Sequence, residues 1–373
     1  MTSKEKAAEL LDKAGITING TAPYDMQVHD EHLYNRVLSS GSLGMGESYM
    51  DGWWDAEDLS AFFHKLFVAR LEQQIKPISF VWTVVKAYVL NLQNKSRAKI
   101  VGERHYDVGN DLYERMLDDK MVYTCGYWSS PTTPAKDLSD AQTQKLDLIC
   151  RKLNLQPGQT VLDIGCGWGS FAKFAAERYG VKVVGITISK EQAALARERC
   201  SGLDVEIRLE DYRDTAGQFD HVVSVGMFEH VGPKNYRTYF TKVRSLLKDG
   251  GIFLLHSIGE NQSHQVGDPW LDKYIFPGGV LPSPAHIGKG IDGLFVVEDW
   301  HNFGPDYNKT LLAWAHNFET HWPEIKDEYS ERFRRMWRYY LYLCAGYFSA
   351  RSGQLWQIVL SKDGIPGGYK TVR

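Results

Sequence analysis

The run Val161-Leu-Asp-Ile-Gly-Cys-Gly-Trp-Gly-Ser170 constrains this chain more than any other stretch. A short apolar segment ends in an acid, and three glycines follow at alternate positions. Such a pattern reads as a buried strand that opens into a loop, where the missing Cβ lets the backbone approach a ligand closely. The helix-compatible segment Phe171–Arg178 comes next. Strand, glycine turn and helix in succession separate a nucleotide-type site from a chance glycine cluster.

The remainder of the chain fits around that unit. Predicted strands at 160–164, 182–188, 204–209, 219–225 and 251–257 alternate with helices at 140–153, 170–179, 190–200 and 234–247. Strand 295–300, helices 309–321 and 329–351, and strand 354–361 close the chain. This order implies an α/β fold with a doubly wound, mostly parallel sheet. Upstream, 1–95 reads as a smaller, mainly helical domain. It opens on an amphipathic helix that lacks the apolar core of a signal peptide. The glycine-punctuated run 41–54 reads as loops packed by aromatics, and Leu59, Phe62, Phe63, Leu66 and Phe67 fall on one helical face. A second helix, Ile78–Leu92, is interrupted by Lys86 and is too short for a bilayer crossing of about 20 residues. Residues 96–104, within a basic stretch beginning at 93, form the expected linker. The domain carrying the chemistry is then 105–373. Basic residues beside apolar helices suit either a solvated linker or an anionic bilayer surface.

Composition removes several classes. A net charge of −3 gives no general reason to expect a nucleic-acid partner. The five cysteines, Cys125, Cys150, Cys166, Cys200 and Cys344, are scattered with no C-x-x-C pair. That argues against a disulfide framework and a structural zinc site, and fits a reducing cytoplasm. The 11 Trp and 20 Tyr build a large aromatic core or line a pocket for an apolar or cationic ligand.

Two cofactors compete for the glycine loop. The dinucleotide fingerprint G-x-G-x-x-G sets pyrophosphate on a helix N-terminus. Here the spacing is Gly165, Gly167, Gly169, and the acid Asp163 stands just before it. A carboxylate there repels pyrophosphate and suits an ammonium or sulfonium. The loop is therefore assigned to S-adenosylmethionine, with Asp163, Gly165, Cys166, Gly167, Trp168 and Gly169 lining it. The next strand ends at Thr187, whose hydroxyl suits a ribose edge, with Gln192 one turn on. Asp211 and Tyr212 follow the third strand, an acceptor for an adenine amine and a ring to stack on adenine. All stand at the carboxyl ends of parallel strands, where open α/β sheets bind ligands.

Beyond the loop, GESYMDGWW (46–54), HYDVGNDLY (105–113), YTCGYW (123–128), VGITISKEQ (184–192), VGMFEHVG (225–232), WHNFG (300–304), LCAGYF (343–348) and QLWQ (354–357) are far more specific. On these motifs the whole chain resembles the bacterial cyclopropane-fatty-acyl-phospholipid synthase family, which also includes the mycolic acid enzymes. The resemblance implies a Rossmann-like class I methyltransferase fold, a mostly parallel sheet with an antiparallel last strand. It implies methylene transfer from S-adenosylmethionine to the cis double bond of a phospholipid acyl chain, through a carbocation deprotonated by bound bicarbonate. It carries Cys125, Glu229, His256, the backbone of Ile258, and Tyr307 over as the bicarbonate cage, and Tyr123 and Thr124 as contacts to the methionine part of the cofactor. Thr124 stands where the family more often has Ser. It further implies a homodimer at the inner face of the cell membrane, associated peripherally. Cys344 is a rival active-site candidate, although no Lys, Arg or His sits one helical turn away to lower its pKa. Trp168, Phe228, Phe303, Tyr307 and Tyr347 are aromatic faces available to a cation, or simply core. Stopping after proton loss or hydride shift would instead give a branched or hydroxylated acyl chain, and a non-catalytic lipid-binding protein is the reading from another class.

Overall fold

The computed structural model describes residues 1–71 and 109–373. The expected helix Ile78–Leu92, the basic linker and the first residues of the 105–113 motif lie outside the described residues. The chain divides into two compact units that interleave along the sequence. One comprises Met1–Asn91, Gln265–Gly278 and Tyr307–Gly353; the other comprises Leu92–His264, Gly279–Asp306 and Gln354–Arg373. A single boundary near 95–105 was the expectation. The long helix Glu331–Ser349 instead joins the first unit, because its Tyr339 packs into the aromatic core built by the N-terminal residues.

That core explains much of the aromatic content. Trp54 stands 5.0 Å from Phe62 and 5.1 Å from Tyr49, ring centre to ring centre, and Phe63 stands 5.1 Å from Tyr339. Edge-to-face pairs of this kind add about 0.5–1.5 kcal/mol each beyond the area they bury. The glycine-rich run 41–54 is not the set of loops expected. Helix His32–Met50 continues through it, kinked at Gly41 (φ 58°, ψ −131°). Gly46 is there for close packing: a β-carbon on it would stand 2.3 Å from the Trp270 indole. Glycines that admit a neighbour across a helix face look, in sequence, like glycines that make turns.

The second unit holds the seven-stranded sheet. Along the chain its strands are β1 (Thr160–Ile164), β2 (Lys182–Thr187), β3 (Val205–Leu209), β4 (Phe219–Val225), β5 (Leu247–Glu260), β6 (Val296–Asn302) and β7 (Gly353–Ser361). Their spatial order is β3-β2-β1-β4-β5-β7-β6. The pairs β2–β3, β1–β2, β1–β4 and β4–β5 are parallel, whereas β6 and β7 are antiparallel. This is the α/β, mostly parallel sheet expected. The central strands are covered on both faces and are mostly buried and apolar, whereas the edge strands β3 and β6 are partly exposed. Leu162, Ile164, Phe253 and Leu255 join one core with Tyr239 and Phe240, and Val161, Val183, Val223 and Leu254 join the other with Leu146, Ile149 and Phe171. Order reverses at β1, so a crevice opens beyond the carboxyl ends of β1 and β4.

Candidate active site

The glycine loop leaves β1 at that crevice. Gly165, Gly167 and Gly169 have φ values of 83°, 54° and 80°, in the left-handed region that other residues enter at a cost. A β-carbon on Gly165 would stand 2.7 Å from Met227, and one on Gly169 3.0 Å from Cys200 Sγ, whereas one on Gly167 would meet none of the described residues within 4 Å. The loop's middle position therefore faces open space. Asp163 is buried at 2% exposure and its Oδ2 has no partner. Burial pushes its carboxyl up to about 7, with the Lys145 ammonium pulling the other way. An unpartnered buried acid beside a glycine cradle suits a cationic ligand, and the residues present fit S-adenosylmethionine.

The other predicted cofactor residues are distributed as follows. The Cys166 side chain packs with Ala193, Ala196 and Ile207, which leaves its backbone to the loop. Trp168 lies tilted 4.9 Å from Tyr113 and donates from Nε1 to Asn110 Oδ1 at 3.2 Å; Tyr113 in turn lies 5.1 Å from Tyr123. Thr187 Oγ1 donates to Gln192 Oε1 at 3.1 Å. Asp211 is gripped at both oxygens by Arg213, at 2.8 and 2.7 Å, and the guanidinium also covers the Tyr212 ring. Sequence reasoning missed Asn110, Tyr113 and Arg213.

At the neighbouring strand ends, β4 pairs Val225 with His256 of β5. Two residues on, the Ile258 N–H donates to Glu229 Oε1 at 2.6 Å. The resemblance had aimed that N–H at an anion; here it anchors the carboxylate. Glu229 Oε2 is buried without a partner, and burial pushes this carboxyl up to about 7. His256 is 1% exposed. The Gln357 amide donates to its Nδ1 at 3.3 Å, so the proton sits on Nε2, which has no partner. Desolvation holds its pKa well below the ordinary value, and the imidazole is neutral. Phe303 lies edge-on to it at 5.9 Å. Phe228 does not line the crevice: it stacks 4.3 Å from Tyr236 inside the core, because its short 3-10 turn points the ring inward.

Cys125 is fully buried, with Sγ 3.1 Å from Gly126 O. Its segment is held by Asp306, whose Oδ2 accepts from Trp128 N at 2.7 Å and Ser129 N at 2.9 Å. Tyr307 and Cys344 belong to the other unit. Tyr307 packs 4.5 Å from Phe348 and Tyr347 packs 5.1 Å from Phe67. The Cys344 thiol is pushed up to about 12 by desolvation and then by Asp268, both of which favour the neutral form. Beside it, Gly346 admits the helix Leu59–Val68, since a β-carbon there would meet Phe63 Cβ at 2.5 Å. These surroundings fit a packing role for Cys344, not a thiolate.

Residues 93–358 match the model of the mycolic acid cyclopropane synthetase family. The chain belongs to that family. The chain is 56% identical to the cyclopropane-fatty-acyl-phospholipid synthase of Escherichia coli (strain K12), over 98% of this chain and 95% of that protein. The tuberculostearic acid methyltransferase UfaA1 of Mycobacterium tuberculosis is 35% identical over 90% and 82%. Among solved structures, the mycolic acid cyclopropane synthase CmaA1 complexed with SAH and CTAB superposes with a TM-score of 0.66 at 31% identity, covering 71% of this chain and 98% of that one. The family assignment makes the chain an S-adenosylmethionine-dependent methyltransferase of lipid metabolism, as the loop chemistry indicates.

Proposed function

We propose that this enzyme transfers a methylene group from S-adenosylmethionine to the cis double bond of unsaturated acyl chains in membrane phospholipids, forming a cyclopropane ring. The observation that carries the reading is the pair of buried polar atoms without partners, Glu229 Oε2 and His256 Nε2, at the adjacent ends of β4 and β5. The names of its relatives support the same reaction class.

An alkene that attacks the methyl group leaves a carbocation, and ring closure then requires loss of a proton from that methyl. Bicarbonate, when bound, supplies a base for that proton. The residues present fit such an anion. His256 donates from Nε2, and Glu229, with its carboxyl near neutrality, carries a proton it can donate from Oε2. Cys125 would complete the cage from the segment clasped by Asp306. Ile258 acts in this scheme through Glu229, holding its other oxygen. Tyr307 is a further proposed member of the cage, on the family resemblance alone. Phe303, edge-on to His256, and Trp168 supply apolar walls that keep water from the cation. Tyr123, Thr124, Thr187, Gln192, Asp211 and Tyr212 would hold the cofactor. The N-terminal residues would bring the enzyme, as a peripherally bound homodimer, to the inner face of the cell membrane.

The test is incubation with S-adenosylmethionine and vesicles of cis-unsaturated phospholipid, followed by mass analysis of the acyl chains. A gain of one methylene that resists hydrogenation is expected. A gain with a retained double bond or an added hydroxyl sinks cyclopropanation and makes the enzyme a branching or hydroxylating methyltransferase.

A further inference from the structure

Helix Leu138–Lys152 buries one stripe, and on that stripe stands Lys145. Its side chain is 1% exposed, and an ammonium so placed costs several kcal/mol unless other groups compensate. Lys145 Nζ donates to Thr124 Oγ1 at 2.9 Å. The same helix holds Thr124 a second time, since Gln142 Nε2 donates to Thr124 O at 2.8 Å. On its other side the Thr124 methyl fits against Gly226, where a β-carbon would approach it to 2.6 Å. Thr124 is thereby fixed at the end of β4, one residue from Cys125.

The charged and titratable groups that face the ammonium come from three elements. Asp118 and Cys125 lie in the segment it braces, Asp163 ends β1, and His256 stands on β5. Asp163 has an oxygen without a partner, aimed into the same buried region.

We infer that Lys145 is a positioning residue of this enzyme: through Thr124 it sets the Tyr123–Cys125 segment against the ends of β1 and β4, and it supplies the positive charge that faces Asp163. The inference rests on S-adenosylmethionine as the cofactor and not on the lipid product. Burial brings the Lys145 ammonium down to about 8, so it is charged at neutral pH, and its charge is what opposes the upward push on Asp163. A neutral side chain at 145 leaves Asp163 with desolvation alone, and Asp163 then holds its proton to higher pH.

The experiment is calorimetric binding of S-adenosylmethionine without lipid, between pH 6 and 9, to the full chain and to Lys145→Met, Lys145→Arg and Thr124→Val. Lys145→Met is expected to bind about tenfold more weakly at pH 7, with the pH midpoint of affinity moved up by about one unit. Lys145→Arg keeps the charge and should restore the midpoint. Thr124→Val removes the acceptor but leaves the ammonium, so it should weaken binding with the midpoint unmoved. Wild-type affinity and midpoint in Lys145→Met overturn the inference. Should that variant fail to fold, an unchanged affinity in Thr124→Val overturns it instead.

Discussion

Glu229 Oε1 accepts from the Ile258 N–H at 2.6 Å while Oε2, equally buried, accepts from nothing. The strand thus fixes one oxygen of a carboxyl group and leaves the other without a partner. Glu229→Gln preserves the fixed contact, because an amide oxygen also accepts, but it removes the titrating oxygen. Turnover should fall by about a hundredfold or more, while S-adenosylmethionine affinity stays within about threefold. Single-turnover rates and calorimetry read the two quantities separately. An equal loss of both would place Glu229 in cofactor binding.

Cofactor binding should release a proton. Asp163 is near half ionised at pH 7 in the ligand-free protein, and a sulfonium favours its charged form. Affinity should therefore rise from pH 6 to pH 8. Titrations in buffers of different ionisation enthalpy should show release of roughly half a proton at pH 7. Asp163→Asn should abolish the release and weaken binding by about ten- to a hundredfold.

The same two acids shape stability. Burial raises Asp163 from 3.8 and Glu229 from 4.5 to about 7. Below about pH 4 each is protonated in the folded and unfolded chain alike. Between about 4 and 7 the unfolded chain has released protons that the folded chain keeps, so their contribution turns against folding as pH rises and levels off above 7. Asp163→Asn and Glu229→Gln should match the wild type in thermal midpoint near pH 4 and exceed it by a few degrees at pH 7.5. Scanning calorimetry of the ligand-free proteins checks the sign.

Cys344 and Gly346 should separate packing from chemistry. Cys344→Ala should keep turnover within about threefold, since a desolvated neutral thiol is neither nucleophile nor base. Gly346→Ala should destabilise by about 1–3 kcal/mol, because its β-carbon meets Phe63 on the facing helix. Denaturation midpoints and initial rates on both variants test this.

The sheet was legible because its signals are local. Alternating short apolar runs and helices, and the acid ahead of the glycines, needed no tertiary knowledge. The helix through Gly41, Gly44 and Gly46 was not legible, since Gly46 makes room for the Trp270 side chain more than 200 positions away, Gly44 for the Arg36 carbonyl, and Gly41 for a kink. Nor was the core position of Phe228, which a three-residue turn decides. Lys145 did leave a trace: it lies four residues from both Ala141 and Ile149, on the apolar stripe where a lysine has no business unless something answers it. The grip of Ile258 on Glu229 left none, because a backbone N–H has no letter in a sequence.

The three loop glycines answer to different masters. Met227 and Cys200 forbid side chains at 165 and 169, so those two positions belong to the fold. No described residue crowds position 167, and its left-handed backbone is one that asparagine tolerates. Gly167→Asn thus offers a folded enzyme whose nucleoside seat is filled by its own side chain. With it, attachment to lipid vesicles can be measured apart from every event that depends on the methyl donor.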